Sequence, residues 1–287
     1  GSDYNSDTSS KTNRILETDV INSHVTAPGA IIALALMYMQ SDFSHERSIW
    51  ECSKTPGHIL GRLAIPSTVY AISKSRPDVL FYRALGLSLV LWDLVTPTHE
   101  WIESQIPTVI KDCLSLYHEN AKQGIESKKA VLSYDVALTS YICIYSGYCV
   151  GIGLIYAGTL DNKAKSTVLN YLKVLQSYRD NKNSAVRKGL NTVIPGIQKM
   201  CRSMIEMCTC SVALALSIIG AGSGDIESLR IIRELRWKVD DIMYGSHMAL
   251  GMALGFLFLS GGDASLKRDP VSIACLLISI LPRYPAR

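Results

Sequence analysis

Long apolar stretches with a recurring internal order dominate this chain. Met248 to Leu259 carries no charge, and Val136 to Leu160 is free of charge for 25 residues. Four stretches share one pattern. Ala33-Leu34-Ala35-Leu36, Gly151-Ile152-Gly153-Leu154, Ala213-Leu214-Ala215-Leu216 and Ala253-Leu254-Gly255-Phe256 each read small, large, small, large, then continue apolar. Three of the four run into glycine, at Gly158, at Gly220 and Gly222, and at Gly261-Gly262. Polar residues follow, with Asp161, Asp225 and Asp263 among them.

Apolar residues on every side of a short segment imply burial all round. Ala and Gly at alternate positions flatten a helix surface and let neighbours approach to the near end of the about 8–10 Å range. Alternation of period two is also a strand signal, but Ala and Gly are poor strand formers, which favours helix. Glycine after the last large residue takes the left-handed conformation that ends a helix. The starts at 33, 151, 213 and 253 lie 118, 62 and 40 positions apart. These spacings fit a period of about 40 residues, in the range of repeat arrays. The polar run Arg179–Lys188 is expected to absorb the excess between the second and third copies. Ala84-Leu85-Gly86-Leu87 breaks the phase and ends in Leu91-Trp92-Asp93, so it is expected to be a partner helix and not a copy.

Amphipathic segments lie between the apolar ones. In Ile226–Trp237, Leu229, Ile232 and Leu235 recur at helical spacing, with Arg230, Arg233 and Arg236 on a different face. Val168–Tyr178 is similar. Alternation of a buried helix with a half-exposed one predicts an all-α chain, an α-α solenoid of paired helices. A single repeat cannot hide its apolar face, so neighbours must stack.

Lipid is the rival home for such segments. Val136–Leu160 is long enough to span a bilayer. Its middle, however, holds Ser140, Tyr141, Tyr145, Ser146, Gly147 and Tyr148, and is expected to be a helix, a turn and a second helix. No apolar run is flanked by a one-sided Lys/Arg cluster that would set an orientation. A polytopic helical membrane protein therefore stays as the second alternative.

Composition narrows the picture further. Of 287 residues, 48% are apolar and 19% charged, so much of the surface must be covered. Lys and Arg number 29 against 25 Asp and Glu, a net charge of +4 with the basic residues scattered, which argues against a nucleic-acid partner. Eight cysteines form no C-x-x-C pair and sit mostly in apolar runs, which points to a reducing intracellular compartment. Gly1-Ser2 reads as a cloning remnant. Residues 1–18 are expected to be a disordered leading segment, with residues 19–287 as one repeat domain.

Candidate chemistry is sparse. The run Gly220–Asp225 resembles a phosphate-cradling glycine loop, but no strand precedes it, so a helix-ending turn is expected. Cys208-Thr209-Cys210 has the wrong spacing for a zinc knuckle and is expected to be buried thiol. His247 is expected to cap or pack, Asp240-Asp241 to form a solvated turn, and no residue is assigned a catalytic, cofactor or metal-binding role. Trp92, Asp93, Trp101 and Trp237 are the candidate interaction residues, because aromatics are enriched in binding hot spots.

Six segments together resemble a known family. They are YGSHMALGMALGFLFLSGG (244–262) with SIACLLISILPRYP (272–285), HVTAPGAIIALALMYM (24–39), YRALGLSLVLWD (82–93), WIESQIPTVI (101–110) and ALSIIGAGSGD (215–225). In order and content they are similar to the proteasome/cyclosome (PC) repeat domain of the anaphase-promoting complex subunit 1 family. The resemblance implies paired helices curving or closing into an α-toroid. It also implies a non-catalytic scaffold within a mitotic ubiquitin ligase, nuclear and cytoplasmic, without cofactor. Its implied partners are the other subunits, the DOC-domain subunit among them, and the co-activator's N-terminal region. Glycine-ended helices also occur in the large scaffold subunits of the proteasome regulatory particle, which bind ubiquitin-like domains; that is the first alternative. Extraction separates the helical array from the membrane reading: the expressed chain should leave the pellet in aqueous buffer with a helix-dominated circular dichroism spectrum. A need for detergent would favour lipid.

Overall fold

The structure is a computed structural model that describes residues 23–40, 56–123, 132–184, 202–237, 244–259 and 266–280. Among these residues there are twelve helices and no strand. The expected disordered segment 1–18, Asp240-Asp241 and Gly261-Gly262 lie outside the described residues.

Five helices form a row: α1 (Ser23–Met37), α4 (Pro77–Val90), α7 (Tyr134–Ile155), α9 (Arg202–Ile219) and α11 (Tyr244–Leu257). Each packs directly on the next. A second layer lies over the seams. In it, α2 (Pro56–Leu63) contacts α1 and α4, while α3 (Val69–Lys74), α5 (His99–Gln105) and α6 (Thr108–Gln123) contact α7. Next, α8 (Asn162–Ser184) covers α7 and α9, and α10 (Ile226–Trp237) covers α9 and α11. The last helix, α12 (Pro270–Ile280), buries Ile273 and Leu277.

All four small-large copies fall on row helices: Ala33 and Ala35 on α1, Gly151 and Gly153 on α7, Ala213 and Ala215 on α9, Ala253 and Gly255 on α11. The reason for the alternation is rotational. At 3.6 residues per turn, positions n and n+2 point about 200° apart. A helix with a neighbour on each flank therefore needs a small residue at both. On α7, a Cβ at Gly151 would collide with Ser88 of α4, and one at Gly153 would stand 2.7 Å from the Ala215 Cβ of α9. Both lie inside normal van der Waals contact, so neither glycine can be replaced without moving a helix.

Three expectations are corrected by this geometry. Ala84-Leu85-Gly86-Leu87 is not on a partner helix: it lies on α4, the second member of the row. A Cβ at Gly86 would stand 3.2 Å from the Ala35 Cβ of α1, and Ala84 would lie 2.8 Å from a Cβ at Gly147 of α7. The phase breaks because the connections on both sides of α4 hold two helices each, α2 and α3 before it and α5 and α6 after it, where the later connections hold α8 or α10 alone. Val136–Leu160 is not a helix, a turn and a helix; its first twenty residues belong to the unbroken α7. Gly147, which hinted at a turn, is where the Phe81 carbonyl of α4 presses on the helix. The polar run from Arg179 is not wholly an insert either, since α8 continues to Ser184. Arg179 is buried, its Nε 2.8 Å from the Glu206 carboxylate of α9 and its Nη1 donating to the Leu235 carbonyl of α10 at 3.4 Å.

Three buried hydroxyls in the row satisfy themselves locally. Ser88, Thr209 and Ser217 each donate to the carbonyl four residues earlier, Ala84, Ile205 and Ala213, at 2.7–2.9 Å. They cost the core no unpaired donor. Among the described residues α7 is long and apolar enough to cross a membrane, but most of it is buried by its own neighbours.

The seams give a matched pair of tests. Gly151→Ala should destabilise the chain by about 1–3 kcal/mol through overpacking. Gly255→Ala, where a Cβ meets open space on α11, should be neutral or stabilising by up to about 1 kcal/mol. Urea midpoints of the two variants check this, and equal losses would refute the seam geometry.

Candidate functional site

The turns after α1, α7 and α9 each bond to the neighbouring helix of the row. After α7, the Gly158 and Leu160 amides donate to the Ile218 and Ile219 carbonyls at the end of α9, both at 2.9 Å. After α9, the Gly222 and Gly224 amides donate to the Phe256 and Leu257 carbonyls of α11, at 2.9 and 2.8 Å. After α1, the Gln40 amide donates to Leu89 of α4 at 3.0 Å. The last carbonyls of a helix have no partner within it, and here the preceding turn supplies one. All five donors sit at positive φ, from 50° at Leu160 to 75° at Gly222. That backbone region favours glycine, which explains Gly158, Gly222 and Gly224. It also settles the glycine-loop question: two of the amides that would cradle a phosphate in Gly220–Asp225 are already committed to carbonyls.

Each of the two later turns closes on an aspartate that starts a second-layer helix. Asp161 accepts the Ala164 amide at 2.8 Å. Asp225 accepts the Ser228 amide and hydroxyl at 2.9 and 2.7 Å, and Lys165 of α8 reaches its other oxygen at 2.7 Å. Burial alone would raise the Asp225 carboxyl. The bonds from Lys165 and Ser228 outweigh it and hold the group below its ordinary value. The repeated unit is thus a left-handed glycine followed three residues later by a capping aspartate.

Trp101 joins an aromatic cluster on α5, α7 and α8. Its ring meets Tyr148 edge-on at 5.4 Å, and Tyr145 stacks on Tyr171 at 3.9 Å. His99 Nδ1 lies 2.7 Å from the Tyr145 hydroxyl, and the Tyr141 hydroxyl donates to Glu103. Burial pushes the Tyr141 and Tyr145 phenols far up, so they stay protonated at neutral pH and offer no base. The buried thiols behave likewise: burial, with Cys208 nearby, raises Cys149, and burial pushes Cys210 up to about 11. Thiols so placed are inert as nucleophiles. Among the described residues no group of three or more His, Cys, Asp or Glu is arranged to hold a metal.

The four candidate interaction residues do not form one site. Trp101 is half-buried in the cluster. Trp92, half-buried, and Asp93, exposed, lie on a short 3-10 turn (Trp92–Leu94) after α4. Trp237 stands at the end of α10, 81% exposed. His247, expected to cap or pack, is exposed on the first turn of α11.

The chain's sequence matches the family model described as APC1 fifth domain over residues 2–287. The chain belongs to the anaphase-promoting complex subunit 1 family. It is 34% identical to anaphase-promoting complex subunit 1 of Dictyostelium discoideum over 96% of its length, and 31% identical to the Homo sapiens protein of that name over 95%. A relative from Emericella nidulans, named negative regulator of mitosis, is 29% identical over 90%. The chain spans only 12%, 13% and 11% of these three relatives, respectively.

The linked aspartate predicts a pH signature. Asp225→Ala should cost about 1–2 kcal/mol at pH 7 by loss of the cap. Because the native carboxyl lies below the unfolded value of about 3.9, its contribution is complete above that value and fades as pH falls through the native one. Denaturation midpoints of wild type and variant should converge at acid pH; a gap that is constant from pH 7 to pH 2.5 would contradict the assignment.

Proposed function

We propose that this segment is a non-catalytic α-solenoid of PC repeats in the largest subunit of the anaphase-promoting complex, a cell-cycle ubiquitin ligase. In the whole subunit, further repeats continue the row and curve it into an α-toroid. Residues 19–287 act as one repeat domain, in the nucleus and cytoplasm. The platform positions neighbouring subunits, the DOC-domain subunit among them, and the co-activator's N-terminal region.

One observation carries this reading. The two outermost helices of the row present to solvent the same small-residue flank that inner helices bury. On α1, Ala35 is fully buried toward α4 while Ala33 is exposed. On α11, Ala253 is fully buried while Gly251 and Gly255 are exposed, with open space where a Cβ would stand. Exposed flanks of this shape fit a further helix of the same kind. The relatives are several times longer than this chain, which leaves ample polypeptide to supply one.

Gly255→Arg tests the reading. In the isolated chain the arginine enters open space and the thermal midpoint should stay within about 2 °C of wild type, the range of a neutral surface change. In the whole subunit, co-expressed with its complex, the same change should sharply reduce incorporation measured by native mass spectrometry. Normal incorporation of Gly255→Arg would sink the continuing row.

A further inference from the structure

We propose that the solvent face of α10 docks an acidic segment of a partner protein that carries an aliphatic or aromatic side chain. This rests on reading the chain as an assembly platform. The helix buries Ser228, Ile231, Ile232 and Leu235 against the row. On the opposite side Ile226, Arg230, Arg233 and Trp237 fall within about 60° of one another, along a line of about 16 Å. All four are exposed, Ile226 at 62% and Trp237 at 81%. An arginine pair between two bare apolar side chains is an unusual thing to leave in water.

The charge around the line is net positive. Arg230, Arg233 and Arg236 make no ion pair among the described residues. The helix's own acids lie off the line, toward α8. There Glu227 is engaged by Lys165 at 3.4 Å and Lys173 at 3.5 Å. Glu234 lies on that flank too. With Glu227 shared by the two lysines, Arg230 and Arg233 on the line and Arg236 beside it outnumber the one remaining acid of the helix, Glu234, and leave the face net positive.

Chemistry and size together select the occupant. Guanidinium groups hold carboxylates through paired donors. Tryptophan and arginine are the residue types most enriched where binding energy concentrates. At about 3.3 Å per residue, an extended segment of roughly five residues matches the line. A nucleic acid or lipid surface would meet a wider front, including Glu227 and Glu234 on one flank, which repel phosphate.

Two measurements test this. The whole subunit, purified alone, is titrated with a labelled dodecamer of Glu and Leu, and binding is read by anisotropy. Saturable binding is expected at low salt, weakened at least tenfold by the double variant Arg230→Glu/Arg233→Glu and by Trp237→Ala, with unchanged helix content. No saturable binding, equal binding by the variants, or tighter binding of single-stranded DNA or anionic vesicles would overturn the proposal. In the assembled complex, a photo-cross-linking residue at Glu234 should label one protein segment with net negative charge. Charge reversal at the two arginines should abolish the label, and exchanging that segment's acids for lysine should restore it. A labelled segment without acids, or no label in a fully assembled complex, also refutes the docking face. Failure of the wild-type subunit to assemble counts against the platform reading instead, while the titration still decides the face.

Discussion

Each inner helix of the row must touch two neighbours at once, at a separation too short for an ordinary side chain on either flank. That steric demand organises the rest of the structure. It places Gly151 against Ser88 and Gly153 against Ala215, two residues apart in sequence and on opposite sides of one helix. It fixes the large residues between them into the layers above and below, where Ile152 and Leu154 are fully buried. It also explains why the first and last helices are different: each has one satisfied flank and one bare one. Close approach of this kind concentrates dispersion contacts, each small, over the length of every seam.

The same alternation shows how far the sequence could be read. Small-large-small-large marked the buried helices correctly, because the pattern is a direct imprint of two-sided packing. It missed α4, whose Ala84, Gly86 and Ser88 obey the same rule. The expected forty-residue phase hid it, because the connections on both sides of α4 hold two helices each. Gly147 misled in the other direction. Glycine within an apolar run reads as a turn, yet here it accommodates the Phe81 carbonyl of another helix, a contact that no local pattern can report. Arg179 was legible only as polar; its burial depends on Glu206, 27 positions away, and on the Leu235 carbonyl. The turns were legible in kind, since glycine before aspartate is a helix stop and start. Their bonding to the next helix was not, because backbone amides leave no trace in side-chain identity. Among the interaction candidates, Trp237 and Trp101 carry the same residue type, and only the fold separates the exposed one from the clustered one.

Polar chemistry in this chain is spent on geometry. Asp161 and Asp225 start helices, Ser88, Thr209 and Ser217 bond their own backbone, and burial holds Tyr141, Tyr145, Cys149 and Cys210 protonated. The outer layer carries much of the charge, and α10 presents three arginines along it. A rigid interior with a chemically diverse exterior suits a surface that arranges other chains and leaves reactions to them.

The amide-to-carbonyl links between a turn and the neighbouring helix end have a mechanical consequence. They lie along one edge of the row, where Gly158 meets Ile218 and Gly222 meets Phe256. Sliding one helix along its axis would break them, whereas swivelling about that edge would not. The array therefore resists shear and yields to bending, opening and closing like a folding screen whose panels share a bound margin.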